Sequence, residues 1–275
     1  MSRRPLLLGA VAYDPKVVTI WDGFRAWLRD HGLPFDYVLY SNYERQVEDL
    51  VDGRIDVAWN SPLAWVRARR MAPSARALVM RDTDRDLVSV VVVRADSPVT
   101  ELHQLAGAAV GVGAVDSPQA TLIPLALFDD VAVRVTRFDR GVGLHGDHLG
   151  GERDAALSLI AGEVDAACMV DANHLRFSTE GVLPPGSTRI VAQTPPFDHC
   201  NVTTTDRSPL LSERLAALLS AMDYADPAVR GLLDLEGLTR WLPGRTSGYA
   251  QLEAAVDSFK FYDRRGQVTA DDYRP

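Results

Sequence analysis

Imidazole, thiol and carboxylate groups gather at two places in the chain. The segment Gly141-Val142-Gly143-Leu144-His145-Gly146-Asp147-His148-Leu149-Gly150-Gly151-Glu152 presents two histidines and two carboxylates within eight residues, at a glycine density that makes a tight, exposed loop. The second place is Asp198-His199-Cys200-Asn201. Such groups bind transition metals or serve as nucleophile, acid and base. A metal site at His145, Asp147 and His148 has the weaker case, because no His-x3-His spacing or paired-cysteine motif accompanies it; a solvated polar loop is the plain alternative. Neighbouring residues on a strand point to opposite faces, so His199 and Cys200 are not expected to form a dyad. A Cys200 nucleophile would then need His145 or His148 as its base. Cys168 lies in an apolar run and reads as core.

A repeated unit has the task of positioning these groups. Asp52-Gly53-Arg54-Ile55-Asp56-Val57-Ala58-Trp59-Asn60-Ser61-Pro62 and, more than a hundred residues later, Ala161-Gly162-Glu163-Val164-Asp165-Ala166-Ala167-Cys168-Met169-Val170-Asp171 share one plan. Each follows a helix-period apolar segment, each Gly suits a left-handed helix cap, and a short buried strand comes next. Open α/β sheets place ligands at the carboxyl ends of their strands, so Trp59, Asn60 and Ser61 of one half and Asp171 of the other are expected to face a common cleft. Tyr13, just past the first strand, joins them. Ser117, Gln119 and Thr121 stand at a helix start, as ligand contacts or simply as caps. Asp56 and Asp165 are expected to satisfy nearby backbone donors, Trp21, Phe24 and Trp27 to be core, and Trp241-Leu242-Pro243-Gly244-Arg245 to form a structural turn.

Strand and helix patterns alternate with short connections, which predicts an α/β chain of two lobes, each a mostly parallel sheet flanked by helices. The strand-like run 87–93 reads as the first crossing between lobes and 195–203 as the return. Lobe one is then 1–88 with 200–275, lobe two is 89–199, and the two crossing strands make the hinge. A chain of 275 residues suits two lobes. A net charge of −8, with no run of Lys or Arg beyond a pair, argues against nucleic acid or an anionic membrane as partner. No stretch approaches the roughly 20 apolar residues of a membrane span, and two cysteines make no disulfide framework. Arg3-Arg4 before Leu6-Leu7-Leu8 imitates a signal peptide, but the apolar run is short and reads as the first buried strand. The location expected on that basis is cytoplasmic, with a periplasmic or extracellular one requiring a longer N-terminus.

Asp14-Pro15 after the first strand, the Gly-Arg-Ile-Asp-Val-Ala-Trp block, Arg94-Ala95-Asp96-Ser97-Pro98, Asp116-Ser117 leading to Leu122-Ile123-Pro124, and Gly162-Glu163-Val164-Asp165 resemble the phosphonate-binding-protein branch of the type 2 periplasmic solute-binding proteins. The resemblance spans roughly residues 8–240. It implies a two-lobed periplasmic-binding-protein type 2 fold that closes on a small molecule, with no catalysis, no cofactor and no membrane insertion, and an ABC permease as partner if the protein is exported. Two departures stand out. Where the resemblance implies a run of small hydroxyl residues gripping the phosphoryl group, this chain has Ser117-Pro118-Gln119-Ala120; where it implies a gripping His, this chain has Glu152. A carboxylate repels a phosphonate, so an anionic or zwitterionic solute other than phosphonate, one with an amine or many hydroxyls, or a metal ion suits these residues better. The implied ligand contacts are Tyr13, Trp59, Asn60, Ser61, Ser117, Gln119, Thr121, Glu152, Asp171, His199 and Asn201. A second reading stays open, a cytoplasmic lyase or hydrolase on the same fold, similar to menaquinone-pathway chorismate dehydratases. It would use His145, His148, Glu152, His199 and Cys200 as acid, base or nucleophile.

Overall fold

The computed structural model describes residues 4–139 and 148–274. β1 (Leu6–Val11), α1 (Lys16–Asp30), β2 (Phe35–Tyr40), α2 (Tyr43–Asp52), β3 (Val57–Asn60), α3 (Pro62–Met71) and β4 (Arg76–Arg81) begin the first sheet. The second sheet follows with β5 (Ser89–Arg94), β6 (Ala109–Val112), a π-helical turn over Pro118–Leu122, α4 (Ile123–Ala126), β7 (Arg134–Arg137), α5 (His148–Ala161), β8 (Ala166–Val170), α6 (Asp171–Thr179) and β9 (Thr188–Gln193). The chain then returns to the first sheet through β10 (Asn201–Thr204), α7 (Pro209–Ser220), α8 (Pro227–Glu236), β11 (Trp241–Pro243) and α9 (Ala250–Ser258).

Among the described residues the strand orders are β11-β4-β10-β3-β1-β2 and β7-β6-β8-β5-β9. These orders correspond. Taken from the β2 edge the first reads β2, β1, β3, β10, β4, and the second reads β7, β6, β8, β5, β9. In each sheet the strand arriving from the other sheet is inserted antiparallel to both neighbours. Sequence alternation alone predicts parallel neighbours, and this inserted strand is what it misses. Residues 241–243, expected as a turn, form an edge strand on β4, where Pro243 is tolerated because an edge has no second partner to serve.

The repeated unit works as its sequence implies. Gly53 and Gly162 both adopt φ of +76°, the left-handed conformation that ends a helix and reverses the chain. Asp56 Oδ2 accepts the Leu7 N–H at 2.9 Å, and Asp165 Oδ2 accepts the Ala109 N–H at 2.8 Å. Each aspartate thus ties the entrance of its strand to the adjoining parallel strand, β3 to β1 and β8 to β6.

Trp21, Phe24, Trp59 and Trp241 pack in the core of the first sheet. Trp27 is only half buried and stacks on His31 with ring centroids 4.0 Å apart. In the second sheet the valines of β5 alternate between faces: Val90 and Val92 meet Ala155 and Leu159, whereas Val91 and Val93 meet Phe128 and Cys168. That is the period-two rule applied to a strand covered on both sides. A further cluster joins elements of both sheets, with Leu63 and Trp65 of α3, Ile123 of α4, and Phe197, Tyr249, Leu252 and Phe261. At the crossings Leu87 and Phe197 exchange two backbone hydrogen bonds of 2.8 Å. Arg245 clamps them, donating to both Asp198 oxygens and to Asp86.

Replacing Gly162 by Ala forces an L side chain into the left-handed region and should cost about 1 kcal/mol in urea denaturation. Gly53→Ala should cost more, because its new Cβ would also come within 2.6 Å of the Arg207 Cδ. Equal losses at the two sites would contradict this ranking.

Candidate functional site

The strand ends and crossings enclose a cavity of about 410 Å³. Tyr13 and Asp14 after β1, Trp59 and Ser61 at the end of β3, and Tyr43 and Glu44 at the start of α2 line one side. Asp116, Gln119 and His148 come from the second sheet's connections, Arg81, His199 and Cys200 from the crossings, and Tyr262 and Tyr273 from the chain after α9.

Two groups of charged side chains stand at this cavity. Glu44, buried at the first turn of α2, accepts hydrogen bonds from the Tyr262 and Tyr273 hydroxyls at 3.0 and 2.9 Å. Burial, and then the charge of Glu44 and Asp116, raise the Tyr262 hydroxyl well above its ordinary range. The second group is built on Asp84, which is 2% exposed. Arg81 donates to both its oxygens, at 2.5 and 2.9 Å, and also to the Glu236 carbonyl at 2.7 Å. The Arg81 guanidinium carbon lies 5.2 Å from the centroid of the Trp59 ring. His199 stands beside the same carboxylate, with Nδ1 3.4 Å from Asp84 Oδ1 and 3.1 Å from Cys200 Sγ, while Nε2 is 3.3 Å from Gln119 Oε1. Burial opposes charge on both groups and is outweighed in both: Arg81 and His199 hold Asp84 down to about 2, and Cys200 and Asp84 lift His199 to about 10.

This contact corrects the expectation that His199 and Cys200 face apart. Both residues precede β10, which begins at Asn201, so strand alternation does not govern them. No base from the 141–148 segment is needed to explain a partnered thiol. His145 and Asp147 lie outside the described residues, whereas His148 opens α5 and lines the cavity. Among the described residues, Asp84, His199 and Cys200 form the grouping with metal-ligating atoms within 4.8 Å of one another. Arg81 occupies both Asp84 oxygens and places a positive charge beside them, which opposes a cation there.

Of the ligand contacts expected from sequence, Tyr13, Trp59, Ser61, Gln119 and His199 line the cavity, and the others do not. Asn60 and Asn201 are fully buried members of a hydrogen-bonded chain beneath it. Gln46 donates to Asn60 at 2.8 Å, Asn60 to Thr203 at 2.9 Å, Thr203 to Asn201 at 2.7 Å, Asn201 to the Tyr249 hydroxyl at 2.9 Å, and Tyr249 to the His199 carbonyl at 2.7 Å. They fix the backbone that carries His199. Ser117 caps the π-helical turn by accepting the Ala120 N–H, and Thr121 donates to the Ala114 carbonyl. Glu152 is buried, accepting from the Val170 N–H at 3.0 Å and Asn173 at 2.7 Å. Asp171 is exposed at the start of α6, where its carboxylate accepts the Ala172 N–H. Sequence reasoning missed Arg81, Asp84, Tyr43, Glu44, Tyr262 and Tyr273. The first two sit in the charged string Arg81-Asp82-Thr83-Asp84-Arg85-Asp86 just before the crossing, and Tyr43 and Glu44 follow β2 at the strand-end position that singled out Trp59.

By sequence, residues 10–249 match the family described as periplasmic substrate-binding proteins of phosphonate ABC transporters. That description is of a periplasmic protein, and it overturns the cytoplasmic location expected from the first residues. No curated protein matches the chain. Among solved structures, the chain is similar to PhnD1 from Prochlorococcus marinus in complex with methylphosphonate, at 16% identity over 94% of this chain and 98% of that one, TM-score 0.68. It is also similar to XAC2383 from Xanthomonas citri bound to ATP, at 19% identity over 92% and 97%, TM-score 0.69. A third is the aliphatic sulphonate binding protein SsuA from Escherichia coli, at 15% identity over 98% and 92%, TM-score 0.53. Identities this low establish a shared two-sheet α/β fold. No helix among the described residues is long and apolar enough to cross a membrane.

Burial raises Glu152 from an ordinary 4.5 to about 7. Between those values the folded protein keeps a proton that the unfolded chain has released, so the contribution of this group to stability falls as pH rises through that window. Glu152→Gln removes the ionisation. Relative to wild type, the variant should gain on the order of 1–3 kcal/mol in urea denaturation from about pH 5 to about pH 8. A stability difference that does not vary with pH would contradict this account.

Proposed function

The chain belongs to the family of periplasmic substrate-binding proteins of phosphonate ABC transporters, and on that premise we propose that its 410 Å³ cavity captures a small zwitterionic solute for delivery to an ABC permease. The observation that carries the reading is the presence of both signs of charge in the cavity lining. Arg81 and His199 stand near Cys200; Glu44 and Asp116 both act on the hydroxyls of Tyr262 and Tyr273. In this reading the first pair favours an anionic group, and the second, together with the phenol rings, favours an ammonium group. A phosphonate with no amine would satisfy only half of this surface.

Capture in this reading is lobe closure, with residues 1–88 and 200–275 moving against 89–199 about the paired crossings at Leu87 and Phe197. The ligand contacts proposed are Tyr13, Trp59, Ser61, Gln119 and His199 from the sequence reading, joined by Arg81, Glu44, Asp116, Tyr43, Tyr262 and Tyr273. Asn60, Asn201 and Glu152 act by holding those residues in place. The enzyme reading of the same cleft gains no support from the comparisons.

Two probes that differ by one ammonium group separate the possibilities. In isothermal titration, aminomethylphosphonate should bind at least about tenfold more tightly than methylphosphonate, a difference of about 1.4 kcal/mol. Asp116→Asn should erase most of that preference while leaving methylphosphonate affinity little changed. Equal affinities, or tighter binding of methylphosphonate, would contradict a cation-favouring part of the lining.

A further inference from the structure

The protein has two cysteines in different surroundings. Cys168 lies in β8 with no exposure, and burial pushes its thiol up to about 12. Cys200 lines the cavity, 8% exposed, with Sγ 3.1 Å from His199 Nδ1. Solute capture accounts for His199 but makes no use of a thiol. We propose that Cys200 is a redox-modifiable thiol built into the cavity, which peroxides oxidise to a sulfenic acid and thereby close to solute.

His199 is oriented from several sides: Asp84 Oδ1 lies 3.4 Å from Nδ1, Gln119 Oε1 lies 3.3 Å from Nε2, its N–H donates to the Asp84 carbonyl at 2.8 Å, and Tyr249 donates to its carbonyl. With Nε2 protonated toward Gln119 Oε1, the Nδ1 lone pair faces Sγ at 3.1 Å, and the imidazolium formed on taking the thiol proton lies 3.4 Å from Asp84 Oδ1. The proton removed from the thiol therefore has a fixed acceptor, which is the arrangement that makes a cysteine nucleophilic. The charges and titrating groups around the sulfur are His199 and Asp84 in the crossings, Arg81 at the end of β4, Tyr13 after β1, Tyr43 on α2, Tyr249 before α9, and Glu236 at the end of α8. The raised titration of His199 agrees with this geometry.

The chemistry balances as follows. The Cys200 thiolate attacks one peroxide oxygen, an S–O bond forms as the O–O bond breaks, and the leaving hydroxide takes the His199 proton and departs as water. Sulfur loses two electrons and the peroxide gains them. A small thiol restores the site by displacing water to form a mixed disulfide, and a second thiol releases Cys200. The added oxygen occupies space beside His199 and Arg81, where the anionic end of the solute is placed. Closure to solute rests on the proposed solute cavity; the reactivity of the thiol does not.

Iodoacetamide labelling of the native protein, read by peptide mass spectrometry across a pH series, tests the thiol first. Cys200 should be alkylated at least about tenfold faster than Cys168 near neutral pH. His199→Gln, which removes the base beside the sulfur, should slow alkylation of Cys200 at least about tenfold near neutral pH. Hydrogen peroxide with dimedone should then trap one adduct, at Cys200, and peroxide-treated protein should lose at least about tenfold in affinity for aminomethylphosphonate, recovered with dithiothreitol. Labelling of Cys200 no faster than that of Cys168 would overturn the proposal without any variant, as would an unchanged Cys200 labelling rate in His199→Gln. If the reduced protein binds no aminomethylphosphonate while Cys200 still reacts selectively, the solute assignment fails and the reactive thiol stands. Selective oxidation that leaves binding intact would overturn the switch.

Discussion

A carboxylate buried at the crossing between two sheets has to be paired, and much of this protein follows from how Asp84 is paired. Leaving it alone would cost several kcal/mol. Arg81 meets both its oxygens, and in doing so reaches the end of α8 at Glu236 and lies over the ring of Trp59. His199 takes the remaining approach, and its backbone N–H closes onto the Asp84 carbonyl. One charge therefore ties β4, β3, α8 and the return crossing together at the place where the lobes are proposed to move. The same pairing sets an arginine against both oxygens of Asp84, one of three potential metal ligands that lie together here, and its charge opposes a cation at them.

Topology brings this cluster to the cavity. Each sheet receives one antiparallel strand from the other, so both crossings pass the carboxyl ends of the parallel strands, where an open α/β fold keeps its ligand. Beneath them a chain of hydrogen bonds runs from Gln46 through Asn60, Thr203 and Asn201 to Tyr249 and holds the His199 backbone. Above them the segment after α9 folds over α3, with Arg67 donating to the Gly266 carbonyl and Arg70 to the Tyr262 carbonyl, both at 2.7 Å. Two phenols are thereby placed on Glu44. The outcome is a cavity lined by Arg81 and His199 as well as by Glu44, Asp116 and two phenols.

What the sequence made legible was local. Gly53 with Asp56, and Gly162 with Asp165, each dictate a helix end and a strand entrance within four residues, and both were readable because their effect reaches only the adjoining strand. Trp59 and Ser61 were found through a rule about strand ends, and the same rule applied to β2 would have found Tyr43 and Glu44. Tyr262 and Tyr273 were beyond reach, since 218 and 229 residues separate them from Glu44 and nothing near them in sequence marks a site. The expectation for His199 and Cys200 failed by one residue of register, because alternation was applied just before the strand that would have enforced it. The location failed for a different reason: a short apolar run at residues 5–12 was allowed to decide it, whereas the informative signal is spread over residues 10–249.

One cavity, lined by Arg81 and His199 and by Glu44 and Asp116, is proposed to hold the solute. A crystal structure of the protein purified without unfolding, with its retained solute, tests this most directly. The account predicts density bounded by Tyr13, Trp59 and His199, with an anionic group toward Arg81 and a cationic group toward Glu44 and Asp116. A solute bound outside that cavity, or one lying in it with its anionic group against Glu44, would contradict the account.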